Sequence, residues 1–368
     1  MSMITRKKKI AIIGAGNAAC ITAMHYYFHG KDLFDKITIY YDPSIPIERT
    51  GQGTTLMIPS LLNGVFGINW YNQLNLIKGT RKDGILYENW GKKTEKNFHP
   101  FPLNNCSIHY IPQLLSKLIL SCGLFDVIEK NVQNPEEEID ADYIFDCRGR
   151  HNRNKDLYEK LINPLNSVIL GRDNTPDPTL HYTRCVATPD GWTFVIPNHD
   201  SVSYGYIFNN TITDKNDAAK NLIDIFGVIP DGHLEFENYI AKNFFEGERT
   251  ILNGNRGSFL EPLEATSVGF YLKIARYAWD HIVNGESKEV CNQNIRKEMF
   301  KIQTFILWHY QLGSKFDTPF WQYAKTLPFT PDDEFNSMIQ MAKNSDAVSE
   351  DIYSQWGIFS FRNWIQNN

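Results

Sequence analysis

Residues 9–30, KIAIIGAGNAACITAMHYYFHG, form an apolar run that breaks at glycines and then resumes with helical character. Ile10, Ala11, Ile12 and Ile13 suit a buried strand. Gly14 and Gly16 suit the tight turn that follows, and Ala19 lets the next helix pack close to the strand, in the G-x-G-x-x-A form of a dinucleotide-binding turn. A helix start of this kind offers unpaired N–H groups and a partial positive charge to a pyrophosphate. Gly30 is expected just past the helix end, as its C′ residue. The β-branched segment 36–41 completes a β-α-β unit, which places Gly14, Gly16, Asn17, Ala18 and Ala19 at a dinucleotide. At the end of the second strand, where an acid commonly meets the ribose, Tyr41 stands, with Asp42 one residue later.

The chain has 368 residues, 42% of them hydrophobic, enough for one large core in two or three layers. Its net charge of −5 and isoelectric point near 6.1 argue against nucleic acid or an anionic membrane surface as the main partner. No stretch approaches the roughly 18 to 20 uninterrupted apolar residues that span a bilayer, and no secretory apolar segment precedes the first glycines, so a cytoplasmic protein is expected. Cys20, Cys106, Cys122, Cys147, Cys185 and Cys291 lack C-x-x-C or Cys/His ligand spacing. Reduced thiols and no metal site are expected. Aromatic residues reach 13%, which suits a core and also a site that stacks flat ligands.

Residues 50–55 read as a Gly/Thr-rich loop, helical patterns follow around 59–62 and 71–76, and 84–90 reads as a strand. Residues 111–120 have helical spacing. Residues 140–149, DADYIFDCRG, read as a buried strand ending in a glycine turn, a feature that late in a nucleotide fold approaches the cofactor. Strand patterns dominate from about 151 to 245, among them 192–197 and 203–208. From about 270 helical patterns run onward.

Five segments in this order resemble the flavin-dependent halogenases of the tryptophan halogenase type. GAGNAA at 14–19 is similar to the family's flavin loop, and 142–149 to its strand ending in D-C-x-G. GWTFVIP at 191–197 resembles the signature G-W-x-W-x-I-P, with Phe194 at the second aromatic. NGNRGSFLEPLEATS at 253–267 resembles the segment ending E-P-L-E-S-T-G, and FILWHY at 305–310 with DTPFW at 317–321 resembles a C-terminal helical pair. The resemblance implies an α/β fold: a flavin monooxygenase-like, Rossmann-type FAD domain (1–150 and 246–270), an inserted mixed β-sheet for the substrate (151–245) and a C-terminal helical region (271–368). FAD, used as FADH2, would contact Gly14, Gly16, Asn17, Ala18, Ala19, Tyr41, Asp42, Asp146, Gly149, Gly254 and Asn255.

The chemistry implied by the resemblance is oxidation of a halide (chloride, bromide or iodide) by O2 at the reduced flavin, giving hypohalous acid that must reach an aromatic substrate. The family's relay lysine stands eight residues before the tryptophan of an N-W strand, the spacing of Lys82 from Trp90. Lysine suits the task as a compact donor whose pKa falls readily on desolvation. Glu264 matches the second glutamate of E-P-L-E, expected near the lysine to stabilise charge or accept the aryl proton. Thr266 and Ser267 fall where backbone N–H groups bind halide. Ala265 replaces the family's serine and Ser267 its glycine, departures that need a compatible backbone.

On the substrate side, His99 and Phe101 match an H-x-F pair that sandwiches a flat aromatic, Trp192 and Phe194 match the segment that bars substrate from the flavin, and Trp356 completes the set. The sequence stops sooner after Trp356 and Trp364 than in relatives acting on free tryptophan, so an open pocket and a larger or different aromatic are expected. The partners implied are a flavin reductase supplying FADH2 and a small aromatic molecule; a homo-oligomer stays open. Two other readings remain: a flavin hydroxylase, in which Lys82 and Glu264 are ordinary surface groups, and a flavin-binding protein without chemistry, suggested by Phe194, Ala265 and Ser267.

Overall fold

The computed structural model describes residues 6–48, 50–69, 72–101, 106–150, 153–344 and 349–367. Ile10–Ile13, buried along its whole length, is an inner strand of a six-stranded sheet. Thr38–Tyr41 pairs with it in parallel on one side and Tyr143–Asp146 on the other. Asp126–Glu129 and Thr250–Leu252 extend the sheet in parallel, and Phe245–Glu246 closes one edge antiparallel. Between its first two strands the chain forms the helix Asn17–Gly30, which buries every residue from Ala18 to Tyr26. Such all-round burial marks a helix enclosed by other elements, and here the helix Thr266–Ile282 packs against it. The chain leaves Ile13 toward Thr38–Tyr41 and returns on the opposite side at Tyr143–Asp146, with Ile13 in register with Asp146. Ligands of open α/β sheets bind at this kind of reversal, beyond the C-terminal strand ends.

The helix does not end before Gly30, as expected from a C′ glycine. Gly30 lies within it, and the C-cap is Lys31 in right-handed conformation. Glycine is required there for space, since a Cβ would lie 2.2 Å from Phe34 Cδ2.

A second sheet has seven strands, ordered Pro230–Glu235, Ser167–Asp173, Val202–Phe208, Gly191–Pro197, Thr183–Thr188, Gly84–Glu88 and Lys96–Pro100. Only the pairing of Thr183–Thr188 with Gly84–Glu88 is parallel. Two of the seven strands come from before residue 150, so the sheet is not confined to 151–245. A small sheet of Gln52–Gly53, Ser107–Tyr110 and Thr80–Lys82 lies beside it, placing Lys82 opposite Ser107 and Gly53 opposite His109.

The 25-residue helix Lys288–Leu312 begins at Ser287, whose Oγ accepts the Val290 N–H at 3.2 Å. It turns Phe305, Trp308 and His309 inward. The hairpin Ile352–Tyr353/Trp356–Gly357 and the helix Ile358–Asn367 close over it: Trp356 stacks on Phe305 with centroids 3.9 Å apart, and Trp364 lies 4.2 Å from the His309 ring. Among the described residues no helix is long and apolar enough to cross a membrane, and no cluster of three His, Cys, Asp or Glu could hold a metal. All six cysteines are free.

Candidate active site

The two glycines of the first turn do different work. Gly14 has φ +115°, which side-chain-bearing residues rarely adopt, and a Cβ there would stand 2.7 Å from the Cys147 carbonyl oxygen. Its role is to let the turn pack on the chain beyond Tyr143–Asp146. Gly16 has φ −76°, and a Cβ there would meet nothing within 4 Å. The space over the helix start is therefore open, and Gly149 faces open space in the same way. Two amides flank this start: Asn17 Oδ1 accepts from the Tyr110 hydroxyl at 2.7 Å, and Asn255 Oδ1 from the Tyr271 hydroxyl at 2.9 Å. Gly254 abuts Ala18, where a Cβ would come within 2.5 Å of the alanine Cβ.

Several residues expected at the cofactor are committed elsewhere. Ala18 and Ala19 are buried against protein. The fully buried Asp146 carboxylate accepts from Arg148 at 2.9 and 2.7 Å and pairs with Arg256 at 3.0 Å, so it braces the floor of the opening. Tyr41 donates its hydroxyl proton to Glu129 at 2.8 Å, and Asp42 accepts the Ser44 N–H at 2.9 Å.

Across the small sheet, Lys82 is only 1% exposed. Its Nζ donates to the Thr54 carbonyl at 3.3 Å, its only hydrogen bond among the described residues. The ammonium sits over Gly53, where a Cβ would lie 3.2 Å from Nζ, 3.4 Å from Thr183 Oγ1 and 3.5 Å from His109 Cδ2. The Phe101 ring centroid is 5.4 Å from Nζ. Burial lowers the Lys82 pKa to about 8, against the opposing pull of Cys185 and Glu264. His109, itself buried, is held well below the usual histidine range by burial and by the Lys82 charge.

Glu264 and Ala265 have φ of +70° and +54°, two successive left-handed residues with side chains. Each such conformation costs about 1 kcal/mol and persists where the surrounding structure dictates it; the Ala265 N–H is tied to the Pro262 carbonyl at 3.0 Å. The turn directs the Glu264 carboxylate inward. Oε1 accepts from His309 Nε2 at 2.9 Å and Oε2 from Trp356 Nε1 at 3.1 Å. The buried Tyr87 hydroxyl lies beside it, with no partner at hydrogen-bonding geometry among the described residues. Burial alone would push the carboxyl up, but His309, His99 and Tyr87 outweigh it and hold it at about 2. Burial thus prevails at the lysine and hydrogen bonding at the glutamate. The left-handed Ala265 precedes a right-handed Thr266, a pattern that turns successive N–H groups to one side and receives anions. Ser267 is in helical backbone, so serine fits where the family has glycine, and Ala265 is the strained departure.

The tryptophan halogenase family model matches residues 9–115 and 125–367. The chain belongs to that family. Tryptophan 7-halogenase RebH of Lentzea aerocolonigenes is 22% identical over 253 residues, which take in 62% of this chain and 47% of RebH, under half of that relative's length. Among solved structures, BrvH, a flavin-dependent halogenase from Brevundimonas sp. BAL3, superposes with TM-score 0.81 at 16% identity, covering 97% of this chain and 89% of that one. A tryptophan halogenase from Shewanella frigidimarina NCIMB 400 gives 0.80 at 17% identity, covering 100% and 90%. At these identities the likeness is one of fold.

Within this tryptophan halogenase fold, Lys82, Phe101, His99, Glu264 and Trp356 gather near one another. Trp192 is buried and donates Nε1 to Glu261 Oε2 at 3.2 Å, so it pins a loop rather than lining an opening. Phe194 lays its ring on Gly205. His99 accepts from Asn97 Nδ2 at 3.2 Å, and burial lowers it to about 4. The space expected to be open beside His99 is filled by the fully buried Trp364, whose ring lies 4.6 Å from Tyr87 and 5.1 Å from His99. Trp356 holds Glu264 through its indole N–H.

Sequence reading passed over Tyr87, His309, Trp364 and Glu261. The last accepts from the Tyr310 hydroxyl at 2.8 Å, the Leu263 N–H at 3.0 Å, Trp192 at 3.2 Å and Asn163 at 3.4 Å. Its signal was the first glutamate of E-P-L-E together with the H-Y pair. Burial pushes its carboxyl up to about 7 against those donors. Glu261→Leu would strand two buried side-chain donors, Trp192 and Tyr310, together with the buried Leu263 N–H, and is expected to cost about 3 kcal/mol or more in urea unfolding; a loss below about 1 kcal/mol would show that the network does not hold the loop.

Proposed function

We propose that this chain is an FADH2-dependent halogenase that passes hypohalous acid to an aromatic substrate by way of Lys82. The observation that carries the reading is a lysine denied water, with donors to spare, near a carboxylate held ionised. A lysine in a structural role keeps its ammonium in water, and perturbed buried groups cluster at functional sites. The hydroxylase alternative treated Lys82 and Glu264 as surface groups, and both are buried.

The residues present fit FAD: open space over Gly16 and Gly149 at the reversal of a parallel sheet, with fixed amides at Asn17 and Asn255. The N–H groups at the start of the helix Asn17–Gly30 would hold the pyrophosphate. When bound as FADH2 the cofactor supplies the reduction of O2 that oxidises halide to hypohalous acid. Backbone N–H groups near Ala265–Ser267 would hold the halide. Lys82, with a pKa near neutrality, can hydrogen-bond the hypohalous acid or accept its halogen as a free amine. Glu264 would take the ring proton as the carbon–halogen bond forms.

The test supplies the purified protein with reduced FAD, O2, bromide and a panel of phenols and indoles. Brominated product is expected by mass spectrometry, with negligible NADH consumption until a flavin reductase is added. A hydroxylated product, or none from any aromatic, would overturn the reading.

A further inference from the structure

A run of hydrogen bonds leads from the small sheet toward Lys82. Thr80 Oγ1 has one proton, and it goes to the Pro197 carbonyl at 3.0 Å, because a carbonyl only accepts. At the longer contact of 3.4 Å with His109 Nδ1, Thr80 is therefore the acceptor, and Nδ1 is assigned the ring proton. His109 is fully buried; burial and then the Lys82 charge hold it well below the usual histidine range, so the ring is neutral and Nε2 is bare. The Thr183 hydroxyl, 2.8 Å away, then donates to Nε2. Its one proton is thereby committed, and Thr183 Oγ1 is left as an acceptor only. An atom at the place of a Gly53 Cβ would lie 3.4 Å from that oxygen and 3.2 Å from Lys82 Nζ, so the two groups meet over the bare glycine.

We propose that Thr183 is a positioning residue which, together with the Thr54 carbonyl, seats the Lys82 nitrogen between two acceptors and so aims its remaining position at hypohalous acid. This rests on the halogenase reading. Nζ donates to the Thr54 carbonyl at 3.3 Å. A second N–H turned to Thr183 Oγ1 accounts for both hydrogens of a free amine, or for two of the three on an ammonium. What is left is one lone pair or one N–H, in either case a single direction leading away from Gly53. A lysine head held at one acceptor alone still turns about its last bond and offers the reactant no fixed geometry. Contacts of this kind tighten in the reacting complex, so the oxygen needs only to be close and correctly turned beforehand. His109 turns it. The ring does not carry the Lys82 proton away, since burial makes it much the weaker base of the two. Besides His109, the titratable groups acting on Lys82 are Cys185 and Glu264.

Thr183→Val keeps the shape and removes the oxygen, whereas Thr183→Ser keeps the oxygen and removes the methyl group. Both retain His109, Cys185 and Glu264. With FADH2, O2, bromide and an aromatic that the wild type brominates, the valine variant is expected to give about tenfold less product per FADH2 consumed, the missing bromine being recovered as hypobromous acid trapped by monochlorodimedone. The serine variant is expected to stay close to the wild type. A second readout needs no flavin: carbon-13 spectra of the protein labelled at lysine Cε, with the Lys82 signal identified as the one lost in Lys82→Met. Losing an acceptor disfavours the ammonium, so the titration midpoint of that signal should fall in Thr183→Val and return in Thr183→Ser. Wild-type yield from Thr183→Val, an equal loss in Thr183→Ser, or a loss of yield with the Lys82 titration unmoved would each overturn the proposal. No product from the wild-type protein with any aromatic would defeat the halogenase reading, and the titration would still decide whether Thr183 faces Lys82.

Discussion

Lys82→Met makes no halogenated aromatic and yet melts at a higher temperature than the wild type at neutral pH. Lys82 has a pKa of about 8 in the folded protein against 10.5 for the free side chain, because burial disfavours the charged form. Between those values the unfolded chain binds more protons than the folded one, so the wild type gains stability as pH rises through the window. Below pH 8 the full penalty is present, on the order of 3 kcal/mol. Methionine keeps an unbranched stem and removes the charge, so it should add about 2 kcal/mol at pH 7 and progressively less toward pH 10. Reoxidation of FADH2 by O2 should continue, since the lysine acts after the flavin. Thermal unfolding at two pH values, with product by mass spectrometry, checks both halves. Product at wild-type yield would remove Lys82 from the reaction, and an unchanged melting point at pH 7 would mean that its burial carries no cost.

That lysine shows what a sequence displays and what it hides. Its spacing from Trp90 is local and legible. Its burial is not, because the wall beneath it is Gly53, brought opposite His109 across the strand Ser107–Tyr110. Glu264 was legible within E-P-L-E, but the ring that fixes its charge is 45 residues further on, in a helix whose pattern announces only that it packs. The central parallel strands follow from apolar runs ending in glycine. Recruitment of Gly84–Glu88 and Lys96–Pro100 into the larger sheet does not, since both pairings depend on partners far away in sequence or on a face chosen by the core. The expectation of an open pocket weighed chain length, whereas Trp364 fills the space beside His99 with a side chain.

The first turn yields the second large effect. Gly14 and Gly16 are equivalent in the motif, but only one is free to be tested cleanly. Gly14→Val forces a side chain into left-handed backbone and against the Cys147 carbonyl, so it should damage folding along with any binding. Gly16 has φ −76° and ψ −175°, open to any residue, and a Cβ there meets no protein atom within 4 Å. Gly16→Val should therefore melt like the wild type while filling the space through which a pyrophosphate must approach the helix N–H groups. FAD affinity is expected to fall about a hundredfold, or roughly 2.7 kcal/mol, in a fluorescence titration run beside thermal unfolding of the ligand-free proteins. Unchanged affinity with an intact fold would mean that the open space is not a phosphate site, and the flavin assignment would fall with it.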